Sequence, residues 1–189
     1  SRETVGWLSL ASLLMGTNWL CFIFATTTGR VLEASLAYFI NPLMTVLLSV
    51  LVLRERLRIL QWVAIGIGAA AVVVMTVAYG TLPLLSLLMA TSFAIYGLVK
   101  RRLGRSTARP LGAIPGLTLE TLFLLVPALI AVVLLWARGD LVTGSTGWLL
   151  PTLLAGTGVL TAVPLIFFAA AASRIPLSWV GMFQYIAPI

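Results

Sequence analysis

Six side chains that can hydrogen-bond, stack or carry a proton stand inside long apolar runs of this chain: Asn18, Trp19, Tyr38, Asn41, Glu120 and Gln184. Amides and a phenol offer donors and acceptors to a polar solute, and an indole offers a face on which a ring can stack. A carboxyl within an apolar run is a candidate carrier of a proton. Two prolines add to the pattern. "YFINPL" ends in Pro42–Leu43 and "QYIAPI" in Pro188–Ile189, with the prolines 146 positions apart. A proline has no N–H, so it breaks a helix and frees the carbonyl four residues earlier. Those carbonyls belong to Tyr38 and Gln184. At membrane depth a freed carbonyl needs a new partner or a water-filled cavity. Asn18, Trp19, Tyr38, Asn41 and Gln184 are therefore the candidate substrate-binding residues of one central site. Pro42 and Pro188 are the candidate helix breakers, and Glu120 is the candidate for proton coupling. Two blander readings compete. Polar and small residues also pack helices in membranes, and a kink can be satisfied by a neighbouring hydroxyl.

Other chemistries find little support. There is no histidine and one cysteine, Cys21. That excludes a disulfide within the chain and a histidine metal site or proton relay. No metal-ligand cluster and no G-x-S-x-G elbow is present, so an embedded enzyme is disfavoured and neither a cofactor nor a catalytic residue is expected. Cys21 reads as a small packing residue. Glu33 reads as an exposed or capping charge at the outer end of its segment. Glu55, in "RERLR", reads as a cytoplasmic charge paired with its neighbours. Ser92, Tyr96, Thr161 and Pro164 are weaker candidates for the same cavity.

The elements that must position these residues follow from composition. Hydrophobic residues make up 61% of the chain and charged residues 9%; soluble domains carry about 25% charged. Lipid is the natural solvent. A spanning helix needs about 20 mostly apolar residues. Such runs cover roughly 5–27, 31–53, 59–79, 82–99, 117–137 and 147–172, and a seventh begins near 176. Barrel strands alternate in polarity over about 10 residues, which these runs do not. No signal peptide stands out, because the apolar pattern recurs throughout. The fold class is all-α: a polytopic membrane protein. The short seventh run and the opening "SRETV" suggest part of a longer protein.

Basic residues set the orientation. Arg and Lys in short loops stay cytoplasmic. Arg2, Arg54, Arg56, Arg58, Lys100, Arg101, Arg102, Arg105, Arg109 and Arg174 fall on one side, ten in all. Arg30 and Arg138 fall on the other. The first segment therefore runs from inside to outside. Topology accounts for "KRRLGRSTAR" and for the pI near 10.8, so no nucleic-acid partner is implied. Trp7, Trp62, Trp136, Trp148 and Trp179 lie near segment ends, where indoles favour headgroups. Trp19, deep in segment one, is the exception. At about 100° per residue, Glu33, Ala34, Ser35, Ala37, Tyr38, Asn41 and Pro42 share one side of segment two. Leu32, Leu36, Phe39, Ile40 and Leu43 share the other, which is expected to face lipid.

A shift of 146 lays residues 18–43 over 164–189 without a gap. Phe22 meets Phe168, Ala25 meets Ala171, Ile40 meets Ile186 and Pro42 meets Pro188. The shift carries segment two onto segment seven, five helices later. Five is odd, so the copies run in opposite directions, as in the inverted repeats of secondary transporters.

"LEASLAYFINPL" and "FQYIAP", with "LRERLRILQWVAI", "SFAIYGLVKRR" and "TAVPLIFFAAAASRIPLS", resemble the RarD group of the EamA family in the drug/metabolite transporter superfamily. The resemblance runs over nearly the whole chain. It implies ten helices in two inverted five-helix repeats, of which this chain holds helices three through eight and the start of nine. Residues 1–79 would end the first repeat and 80–189 begin the second. The expected function is secondary-active transport, with export favoured, of a small organic metabolite or drug-like solute across the bacterial cytoplasmic membrane. The implied partners are the lipid bilayer, the solute, a coupling proton and, in some assemblies, a second copy of the chain. The alternatives are a non-transporting membrane sensor or scaffold and, further off, a membrane-embedded enzyme.

Overall fold

A backbone group exposed to hydrocarbon has no water to bond, so apolar runs of this length close their hydrogen bonds internally as helices. The computed structural model describes residues 2–80, 82–105, 111–139 and 147–186. Six membrane-length helices occur among them: α1 (Arg2–Thr27), α2 (Val31–Leu53), α3 (Ile59–Tyr79), α4 (Leu84–Arg105), α5 (Ala113–Arg138) and α6 (Leu149–Arg174). A short α7 (Leu177–Phe183) follows and tightens into a 3₁₀ turn over Gln184–Ile186.

The helix ends have local causes. Gly29 closes α1 with φ of 75°, and the Arg30 N–H reaches back to the Ala25 carbonyl at 2.7 Å, a Schellman-type closure. Gly80 and Gly139 close α3 and α5 in the same left-handed conformation. Arg54 closes α2 at φ 54°, the one non-glycine with positive φ among the described residues. There the Glu55 N–H bonds the Ser49 carbonyl at 3.2 Å.

α4 is the most buried of the long helices and packs against α1, α2 and α6. Small residues permit the close approach: Ala11, Ala90, Ala94 and Ala172 are fully buried. The main core joins Leu8, Ala11 and Met15 of α1 to Tyr96, Val99 and Leu103 of α4, with Leu117 of α5 and Leu165 of α6. α3, α5 and α6 turn most of their apolar surface outward, as lipid-facing helices do.

Charged ends meet in space. Arg101 of α4 bridges Glu55 at 3.0 Å and donates to the Ile175 carbonyl at 2.8 Å. Arg102 lies 3.4 Å from Glu3 and stacks over the Trp7 ring at 4.5 Å. The start of α1 and the ends of α2, α4 and α6 therefore share one face. That is the alternation the charge count assumes.

Several expectations are corrected. Helix α2 passes through Pro42 without a break. The proline removes one hydrogen bond, but packing against α4 and α7 holds the helix on both sides of it. Pro188 lies outside the described residues. Leu36 and Ile40, expected to face lipid, are buried against Ala90, with Met44 and Val72 alongside, because α2 is wrapped by α3, α4 and α7. Lys100, Arg101, Arg102 and Arg105 belong to the last two turns of α4 and not to a loop. Glu33 is fully buried and pairs with Arg30 at 2.6 Å. Glu55 pairs with distant Arg101, not with the arginines beside it.

Candidate functional site

A cavity of about 590 Å³ opens between α1, α2, α4, α6 and the 3₁₀ turn. Asn18, Trp19, Tyr38, Asn41 and Gln184 all line it. Thr161 and Pro164 of α6, the weaker candidates, also line it, whereas Ser92 and Tyr96 do not. Pro42 is buried behind the lining, where Gly181 lets α7 approach the Pro42 carbonyl. Reading polarity alone misses Met15, Phe22, Met89, Phe93 and Phe168, which complete much of the wall. The internal alignment was a usable signal for Phe22 and Phe168, which it matches.

Each polar residue has a distinct setting. Asn18 donates to the Met89 carbonyl at 2.8 Å and to Ser92 Oγ at 3.4 Å. Its amino group is spent on tying α1 to α4. Asn41 Oδ1 and both Gln184 side-chain polar atoms are shielded from solvent and have no hydrogen-bond partner among the described residues. Buried polar atoms are normally paired; these three are closed to water in the cavity, so a solute would reach them only after the side chains turn. Tyr38 is half exposed and meets Phe22 edge-on, with ring centroids 6.4 Å apart. Phe93 and Phe168 form a second aromatic pair at 4.8 Å.

The lining repeats itself along the chain. Met15, Asn18, Trp19, Phe22 and Tyr38 each have a counterpart 146 positions later in Thr161, Pro164, Leu165, Phe168 and Gln184, and all ten line the cavity. Helical spacing explains why positions three and four apart share a face. It does not explain why both helices use the same register.

Glu120 lies about two turns into α5, deeper than the apolar run implies, because the helix starts at Ala113. It is not part of the lining. Its Oε1 accepts from Lys100 Nζ at 2.9 Å and its Oε2 from the Tyr96 hydroxyl at 3.1 Å; all three residues are buried. Ser12 of α1 donates to the Glu120 carbonyl at 3.2 Å. The Tyr96 ring stacks on Phe168 at 6.0 Å, which connects this cluster to the cavity wall.

The membrane-length helices and a solute-sized cavity lined by amides and rings define a polytopic α-helical membrane protein with an internal pocket. Residues 1–77 match the EamA-like transporter family. The chain is 44% identical over 185 residues to Protein RarD of Streptomyces exfoliatus, covering 98% of this chain and 57% of that protein. It is 45% identical over 183 residues to the uncharacterized transporter YojE of Bacillus subtilis (strain 168), covering 96% and 58%. It is 41% identical over 184 residues to Protein RarD of Escherichia coli (strain K12), covering 96% and 59%. The chain belongs to the EamA-like transporter family, among the RarD proteins. It spans less than two thirds of the length of these relatives. No solved structure matches it.

Proposed function

We propose that the protein is a secondary-active transporter, exporting a small organic solute across the bacterial cytoplasmic membrane by alternating access. Tyr38, Asn41 and Gln184 hydrogen-bond the solute and Trp19 stacks on it, while Asn18 acts indirectly by fixing α1 to α4. The carrying observation is the lining register: five lining positions of α1 and α2 have counterparts 146 positions later in the same cavity. Two repeats running in opposite directions present matching positions to a shared midplane site. On this reading residues 1–79 belong to the first repeat and 80–189 to the second.

Glu120 is the coupling group of this proposal. Its pairing with buried Lys100 ties α4 to α5, and losing that pairing would free the two helices to separate. Solute in the cavity acts on the same helix through Phe93 and the Phe168–Tyr96 stack.

The test is flux. Full-length protein in proteoliposomes should catalyse counterflow of solutes that raise its melting temperature in a metabolite screen. Binding without any flux would favour the sensor or scaffold reading.

A further inference from the structure

We infer that Glu55 and Arg101, closing on the backbone amides of Leu177 and Ser178, form the gate that shuts the cavity toward the basic face. The inference rests on the proposed reading of two repeats that move against each other. Three helices pass through the same order of layers. Along α2 the lining residue Asn41 is followed by Leu53 and then, just past the helix, by Glu55. Along α4 the lining residue Phe93 is followed by Leu98 and then Arg101. Along α6 the lining residue Phe168 is followed by Ala172 and then Ile175, whose carbonyl accepts from Arg101 at 2.8 Å. The middle layer is one apolar cluster around Ala172, Leu177 and Val180, and Phe168 belongs both to it and to the cavity wall. Gly97 lets α4 settle there: a Cβ would lie 3.3 Å from Phe168 and 3.4 Å from Leu177. The cavity is thus floored by an apolar plug, with the Glu55–Arg101 pair beyond it.

On the repeat assignment above, Glu55 belongs to the first repeat and its partners to the second. The Leu177 N–H donates to Oε1 and the Ser178 N–H to Oε2, each at 3.0 Å, and Arg101 bridges Oε1 at 3.0 Å. The Arg30–Glu33 pair stays within the first repeat and the Lys100–Glu120 pair within the second, so neither has to break when the repeats part. Arg102–Glu3 crosses on the same face as Glu55, but both side chains are largely exposed, where an ion pair is worth little. The Glu55 and Arg101 side chains are only 12% and 14% exposed, so their charge-assisted bonds are less screened. Repeats that rock about a midplane site must break such a contact whenever its face opens.

Two buried alanines serve as reporters in the full-length protein freed of native cysteines, Cys21 included. Ala172→Cys sits in the plug, and Ala34→Cys sits near the opposite end of α2; both alanines are buried. Maleimide labelling is timed in detergent, well below the melting temperature, where the rate at a buried site follows how often that site opens. Glu55→Gln should speed labelling of Ala172→Cys by roughly 10- to 150-fold, the worth of a hydrogen bond to a charged group, and leave Ala34→Cys unchanged. Arg101→Gln should act in the same direction by less, because the Leu177 and Ser178 amides still hold Glu55; it also serves where Glu55→Gln folds poorly. Unchanged labelling of Ala172→Cys in both variants would overturn the gate. Equal acceleration at the two reporters would overturn it as well, since that is general loosening of the bundle. Counterflow tests the transport reading separately: selective opening at Ala172→Cys in a protein that carries no solute would sustain the gate and overturn the transporter.

Discussion

Lys100 Nζ and Glu120 Oε1 stand 2.9 Å apart, with both side chains buried, and tie α4 to α5 beside the cavity wall. Removing one partner of such a pair strands the other charge. Lys100→Met alone should destabilise the full-length protein by about 3–5 kcal/mol, and Lys100→Met with Glu120→Gln should recover most of that loss. In transport, Glu120→Gln should abolish proton-driven accumulation and leave solute exchange measurable. The amide keeps the shape of the side chain but cannot release a proton. Should Glu120→Gln fold poorly, Lys100→Gln with Glu120→Gln serves the same assay. An unchanged gradient-driven rate would reduce Glu120 to a packing residue.

Glu55 clamps one face of the bundle. It accepts from the Leu177 and Ser178 amides at 3.0 Å each and pairs with Arg101. Burial pushes its carboxyl up, but the bonds from Ser178 and Leu177 and the Arg101 charge outweigh that and hold it below its usual 4.5. The folded value is depressed, so this stabilisation is complete above pH 4.5 and is lost as pH falls through the folded value. Melting temperature plotted against pH should fall more steeply in acid for the wild type than for Glu55→Gln. Parallel curves would contradict the clamp.

Gly181 is a point of contact between α7 and α2. A Cβ there would sit 2.8 Å from Val46 Cγ2 and 3.1 Å from the Pro42 carbonyl. Gly181→Ala should destabilise by about 1–3 kcal/mol through overpacking. Gly156, inside α6, has nothing within 4 Å of such a Cβ. Gly156→Ala should be neutral, or stabilising by about 1 kcal/mol through helix propensity. Denaturation of both variants in detergent checks the contrast, and equal effects would mean that α7 does not pack at Pro42 as described.

The basic-residue bias puts Thr28 outside and Arg56 in the cytoplasm; both are exposed. In a Cys21→Ala background, Thr28→Cys should react with an impermeant maleimide on intact cells. Arg56→Cys should react only after permeabilisation. The reverse pattern would invert the orientation.

The long helices were legible because their boundaries follow apolar runs, and the amides of the cavity because a polar group in such a run stands out. Asn41 and Gln184 were visible for that reason. Met89 and Phe93 were not, since an apolar lining residue looks like any lipid-facing one. Pairings across the chain were hidden as well. Glu55 has three arginines beside it, yet its partners are Arg101 and the amides of α7, which only the packing of α2, α4 and α7 brings together. Lys100 sits in a basic run that suggests a loop, and only the length of α4 carries it into the interior. The sequence pattern of Pro42 implied a break that packing suppresses.

The most direct test of the account is to measure solute affinity and melting temperature together for Asn41→Ala and Gln184→Ala in the full-length protein. Each loses one buried hydrogen-bonding group, so affinity should fall by roughly 5- to 150-fold while the melting temperature changes little. Unchanged affinity with a lowered melting temperature would contradict it, and would make these residues helix-packing groups.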